Sequence, residues 1–167
     1  MNGPTLPPAP APFLEDLEGD VLALFQFSDV AAPRGHLGTV DWYLCGALSR
    51  LQASGRFLAR PRSAVLLNPR GKFRVAQILV LGLGSRQGIS LQDLYRSSYE
   101  AAHVLVKLQA HTIHLDLPYQ AFPRRNPLVI RRNFLEGFLA EFQRLQGARP
   151  EVHILPPKSL TPEPAPE

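Results

Sequence analysis

Apolar residues follow two rhythms along this chain, and their alternation lays out an α/β fold. Val21-Leu-Ala-Leu-Phe-Gln-Phe27 is a short, nearly unbroken apolar run, entered through Glu18-Gly-Asp20, and predicts a buried strand. After a loop containing Pro33-Arg-Gly35, Val40, Leu44, Ala47, Leu48 and Leu51 recur at helical spacing until Gly55, which predicts one amphipathic helix. Ser63–Asn68 and Val75–Leu81 read as strands joined by a hairpin turn at Pro69-Arg-Gly71. The second is apolar enough to be central. It runs into Gly82-Leu-Gly84-Ser85-Arg86-Gln87-Gly88 and then into Ser90, whose hydroxyl can cap a helix with Asp93 answering from the third helical position.

Leu91, Leu94, Tyr95, Ser98, Ala102, Leu105 and Leu108 give that helix one apolar face. Thr112–Asp116 is a further strand. Asn126 and Pro127 form a cap and first-turn pair for a last helix lined by Phe134, Phe138 and Phe142, and Glu151–Leu155 closes as a strand. The order β-α-β-β-α-β-α-β predicts a mixed central sheet with helices on both faces, because parallel pairs need crossover helices.

Composition narrows the setting. The 167 residues suit one core. Prolines at 4, 7, 8, 10 and 12, and again at 156, 157, 162, 164 and 166, bracket the chain. Such ends favour extended backbone, so residues 1–12 are expected to be a disordered leader, 13–155 a single α/β domain and 156–167 a disordered Pro/Glu tail. No apolar run approaches the roughly 18 residues of a membrane helix, and the N-terminus lacks the basic start and apolar centre of a secretory signal. Cys45 is the only cysteine, which excludes an internal disulfide and a thiolate cluster. These features predict a cytoplasmic protein with no membrane partner. The net charge of +4 is mild, and all the basic residues except Lys72, Lys107 and Lys158 are arginine.

Candidate chemistry is sparse. The glycine loop has the setting of a phosphate site, between a strand end and a helix start. It has no Gly-Lys-Ser/Thr, and its glycine spacing misses the dinucleotide fingerprint by one residue. Its glycines therefore serve either tight packing or an anion pocket around Gly82, Gly84, Ser85 and Arg86. Histidines 36, 103, 111, 114 and 153 show no ligand spacing; in a strand, His111 and His114 would point to opposite faces. No metal or cofactor is expected. Cys45, between Leu44 and Gly46, reads as a mid-helix core residue. No Gly-x-Ser-x-Gly elbow is present. Arg124, Arg125, Arg131 and Arg132 flank Asn126-Pro127, as a solvated face or as a surface for nucleic acid or an acidic partner.

Asp41-Trp-Tyr-Leu-Cys-Gly46-Ala-Leu-Ser49, the following Gly55-Arg-Phe57, and Ile78-Leu-Val-Leu-Gly-Leu-Gly84 together resemble the N-terminal domain of the leucyl aminopeptidase family, peptidase family M17. The resemblance runs from about Gly19 to Pro118. It implies a three-layer α/β/α, macro-domain-like fold. In that family the peptidase chemistry belongs to a C-terminal domain holding two divalent metals and marked by Asn-Thr-Asp-Ala-Glu-Gly-Arg. These 167 residues contain no copy of that signature, so the resemblance carries over no catalytic residue. It implies a stand-alone, non-catalytic interaction or regulatory module with a protein partner or a second copy of itself. The alternative is a domain that binds a small anionic ligand, nucleotide- or ADP-ribose-like, at the Gly82–Gly84 loop.

Overall fold

A computed structural model describes residues 13–158, so the expectations for 1–12 and 159–167 lie outside the described residues. The strands are β1 (Gly19–Gln26), β2 (Ala64–Leu67), β3 (Val75–Gly82), β4 (Thr112–Leu115) and β5 (Glu151–Ile154). The helices are α1 (Gly35–Tyr43), α2 (Ala47–Ala53), α3 (Leu91–Lys107) and α4 (Pro127–Gln146). The strands form one sheet in the order β2-β3-β1-β4-β5. β1 pairs in parallel with β3 and β4, β4 in parallel with β5, and β2 antiparallel with β3. The sheet is therefore mixed, as the element order requires.

Alternation along β1 divides the core. Val21, Ala23 and Phe25 face one way and join Leu94, Ala101, Leu105, Phe134, Phe138 and Phe142 of α3 and α4. Leu22 and Leu24 face the other way and join Leu37, Val40, Leu44 and Leu48 of the α1–α2 layer. A strand covered on both faces must be apolar at successive positions, which is why the run at 21–25 is unbroken.

Local chemistry sets the ends of α3 and α4. Ser90 Oγ accepts the Asp93 amide at 3.1 Å while the Asp93 carboxylate accepts the Ser90 amide at 2.9 Å, a complete capping box. Asn126 Oδ1 accepts the Leu128 amide at 2.9 Å, Pro127 fills the first turn, and Gly147 at φ 72° closes α4. In the β2–β3 hairpin, Arg70 and Gly71 both take positive φ, and the Asn68 side chain accepts the Arg70 amide at 2.8 Å.

The single helix expected over Val40–Leu51 is instead two. After Tyr43 the chain makes a left-handed stop: the Cys45 amide bonds to the Trp42 carbonyl at 3.0 Å and the Gly46 amide to the Asp41 carbonyl at 2.7 Å. This is a Schellman pair, with Cys45 at φ 55° and Gly46 at φ 74°. Cys45 is consequently exposed and not a core residue. α2 restarts at once because Asp41 Oδ1 accepts the Leu48 amide at 2.7 Å and the Ser49 amide at 3.2 Å, and Oδ2 accepts the Ser49 hydroxyl at 2.5 Å. Asp41 thus caps the second helix from within the first.

Candidate functional site

β1, β3 and β4 run parallel and end at one edge of the sheet, at Gln26, Gly82 and Leu115. The loop after β1 leads to α1 on one face, whereas the loops after β3 and β4 lead to α3 and α4 on the other. The strand ends around β1 are therefore a topological switch point, where open α/β sheets hold their ligands. A crevice lies there, lined by Gln26, Arg34, Leu37, Arg86, Asp116 and Gln120 among others. His36 Nδ1 donates to Asp116 Oδ1 at 2.9 Å beside it, and both side chains are largely buried. The crevice encloses only about 30 Å³. Pockets that bury small organic ligands run to roughly 300 Å³ or more, so as it stands this one has room for water.

The glycine loop meets this crevice only through Arg86, whereas Leu83, Ser85, Gln87 and Gly88 border a separate hollow of about 300 Å³ towards α3, and the first amides of the loop are already engaged. Gly82 N–H bonds to Ser63 O at 2.8 Å, Leu83 N–H to Gln26 O at 2.9 Å and Gly84 N–H to Ala59 O at 2.8 Å. The next donors converge on one carboxylate: Asp29 accepts the Arg86 amide at 2.7 Å, the Ser85 hydroxyl at 2.8 Å and the Gln87 amide at 3.3 Å. The loop thus holds an anion, and that anion is the chain's own Asp29. The Arg86 amide above all, with the Ser85 hydroxyl and the Gln87 amide, holds the Asp29 carboxyl below the usual carboxylate range. The Arg86 guanidinium reaches the Gln120 carbonyl at 3.3 Å.

The glycines also answer to steric need. A Cβ on Gly82 would lie 2.3 Å from the Arg60 carbonyl oxygen and 2.5 Å from the Ala59 carbonyl carbon. Gly84 has φ +77°, and a Cβ there would meet the Pro61 ring at 2.9 Å. Segment 59–63 crosses directly over this turn, so both positions require a bare backbone.

Gly82, Gly84, Ser85 and Arg86 lie together at the strand ends, and sequence reasoning missed Asp29, His36 and Asp116, which share that edge with them. Asp29 had no local signal; only the parallel pairing of β1 with β3 brings it to the loop. The other histidines disperse: His103 faces Glu141 at 2.8 Å, and His114 stacks on His153 across β4 and β5 with ring centroids 5.0 Å apart. β4 begins at Thr112, leaving His111 in front of the strand. Among the described residues, no three His, Cys, Asp or Glu side chains gather as metal ligands would. No helix among them is long and apolar enough to cross a membrane. Of the arginines, Arg124 and Arg125 stand in the exposed loop before α4, while Arg131 and Arg132 lie on its outer face.

A mixed sheet of this order, with a helical layer on each face and a crevice at its parallel strand ends, defines a macro-domain-like α/β/α domain. The macrodomain of Mycobacterium tuberculosis DarG superposes with a TM-score of 0.64 at 12% identity, covering 88% of this chain and 95% of that one. A tomato leucine aminopeptidase mutant superposes with a TM-score of 0.57 at 19% identity, over 87% of this chain but 32% of that one. Residues 21–142 match the model of the cytosol aminopeptidase family, N-terminal domain, and the chain belongs to that family. A probable cytosol aminopeptidase from Cyanothece sp. is 30% identical over 103 residues, which is 62% of this chain. The chain spans about a fifth of the length of the curated relatives it matches, 21% in that case.

Proposed function

We propose that this domain is a non-catalytic interaction or regulatory module of the aminopeptidase family, acting in the cytoplasm and docking onto an aminopeptidase-like partner or onto a second copy of itself. The observation that carries this reading is Trp42, whose side chain is 77% exposed on a stretch of backbone fixed by its two neighbours. Asp41 on one side is tied into the start of α2. Tyr43 on the other donates its hydroxyl to Glu15 at 2.5 Å and meets Phe73 edge-on at 5.6 Å. A tryptophan exposed on a fixed backbone has the character of an interface anchor, since the few residues that dominate docking energies are enriched in Trp, Tyr and Arg. The match to relatives over their N-terminal portion supports a role apart from peptide hydrolysis.

Sedimentation of the chain alone, and of the chain mixed with a purified cytosol aminopeptidase, tests the reading. Association that Trp42→Ser weakens is the expected result; a monomer that forms no complex overturns it. The chain alone should not hydrolyse leucine-p-nitroanilide with manganese or zinc added, and turnover that follows the protein through re-purification would refute the non-catalytic assignment.

A second reading, binding of a small anionic ligand such as a nucleotide or ADP-ribose, is favoured by Arg34 and Arg86 at the switch-point crevice. At a hundred times its dissociation constant a ligand adds about 2.7 kcal/mol to stability. An unchanged melting temperature with ADP-ribose, nucleotides or phosphate removes this reading.

A further inference from the structure

The outer face of α4 carries apolar surface that the core covers only in part. Leu128, Arg132, Leu135, Leu139 and Gln143 follow one another at helical spacing on the side turned away from the sheet, where with Arg149 they line a groove of about 610 Å³. Leu128 is 67% exposed, and Val129 beside it is also exposed. Leu135 and Leu139 are half-buried, and Leu139 also packs against the core, so this stripe runs alongside the Phe134–Phe138–Phe142 stripe and reaches the surface chiefly at its Leu128 end. An isolated exposed leucine needs no explanation, but a leucine line along a helix already anchored by another face does.

Charge identifies what fits. Arg131, Arg132 and Arg149 line the groove with one acid, Glu136, and among the described residues none of the three arginines enters an ion pair. Other surface arginines do find partners: Arg144 binds Glu141 through two nitrogens, and Arg74 binds Glu18 at 2.9 Å. A second copy of the chain is a poor occupant, because a two-fold contact would set both arginine sets together against only two Glu136 carboxylates. A nucleic-acid backbone would meet the arginines but leave Leu128, Leu135 and Leu139 uncovered. We infer that the outer face of α4 is the docking groove for an amphipathic helix of a partner protein, with leucine-type residues along its centre and Asp or Glu on its flanks. Its leucines fill the line between Leu128 and Leu139, and its carboxylates pair with Arg131, Arg132 and Arg149. This rests on the interaction-module reading and assigns that module a surface and a partner chemistry.

The probe is a fluorescein-labelled helical peptide of about 18 residues, five turns, with leucines at helical spacing flanked by glutamates. A peptide of the same composition in scrambled order is the control, and fluorescence anisotropy gives the affinities. The ordered peptide should bind and the scrambled one should not. Leu128→Asp and the double variant Arg131→Glu/Arg132→Glu should each weaken binding about tenfold. All three positions are exposed, and circular dichroism is the check that each variant folds. Equal binding of both peptides, or binding untouched by the variants, overturns the inference. So does duplex DNA that binds more tightly than the peptide and displaces it. If Trp42→Ser abolishes association with the aminopeptidase while the α4 variants change neither that association nor peptide binding, the docking-module reading stands and this assignment falls. If no association of any kind is found, both fall.

Discussion

Replacing Asp41 with alanine removes three acceptor contacts at once and leaves their donors in place. Leu48 is fully buried, so its amide has no water to turn to. Loss of a helix cap costs about 0.5–2 kcal/mol. Hydrogen bonds to a charged group contribute about 1.5–3 kcal/mol, and a stranded buried donor costs about 1–3 kcal/mol. These overlap, because the cap and the hydrogen bonds are the same contacts; a net loss of about 3 kcal/mol is expected. For a domain of this size that is a drop of roughly 9 °C in melting temperature. Asp41→Asn keeps an acceptor for the Leu48 and Ser49 amides, and the Ser49 hydroxyl can turn to accept from the new amide nitrogen, so it should cost about 1 kcal/mol or less. Urea unfolding at unchanged m-value reads both variants. An alanine variant within about 0.5 kcal/mol of wild type, or an asparagine variant as damaging as alanine, would refute the claim that this carboxylate holds α2 onto α1.

Two further outcomes rest on the same kind of geometry. Gly82→Ala should destabilise by about 2 kcal/mol or more, because the methyl group would be driven into the Ala59–Arg60 backbone, which cannot rotate aside as a side chain can; a neutral effect in thermal melts would show that segment 59–63 is not packed on the turn. Glu141 is held down to about 2 chiefly by the Arg144 guanidinium, with His103 adding to it. A carboxylate lowered in the folded state stabilises above its unfolded value and loses that contribution as protons bind, so the wild type should lose stability relative to Glu141→Gln between about pH 4.5 and pH 2. Parallel urea midpoints across that range would refute it.

The parts of the fold that could be read from sequence were those whose determinants lie within a few residues of one another. The Ser90–Asp93 box and the Asn126-Pro127 start are set by neighbours, and the structure places both where the residues predict. The β1 and β3 runs were legible because burial on two faces leaves no polar phase to mistake. The α1–α2 break was not, because Val40, Leu44, Leu48 and Leu51 keep helical spacing across it; the left-handed turn at Cys45 and Gly46 rejoins the pattern nearly in phase. Only Gly46, with a carboxylate at Asp41 placed to cap the second helix, marked the interruption. The place of β1 at the centre of the sheet was likewise hidden, since strand order depends on which crossover goes to which side.

That strand order gives the glycine loop its character. Because β1 lies beside β3, the turn that leaves β1 meets the turn that leaves β3, and Asp29 reaches the amides of Arg86 and Gln87. A tethered carboxylate competes for those donors at the high local concentration that tethering confers, and its lowered pKa keeps it charged at neutral pH. An external anion at this loop must therefore displace Asp29 and also overcome its repulsion. The crevice alongside, with about 30 Å³, has little room to offset that cost, and the hollow of about 300 Å³ on the other side of the loop is walled by Arg62, Arg96 and Glu100 as well as by Pro61, Leu83 and Ile89. The outer layers differ: Trp42 and, on α4, Leu128 and Val129 present exposed apolar surface with no such internal competitor, on helices fixed by the core. The balance of these terms favours recognition on the helical faces over chemistry at the strand ends.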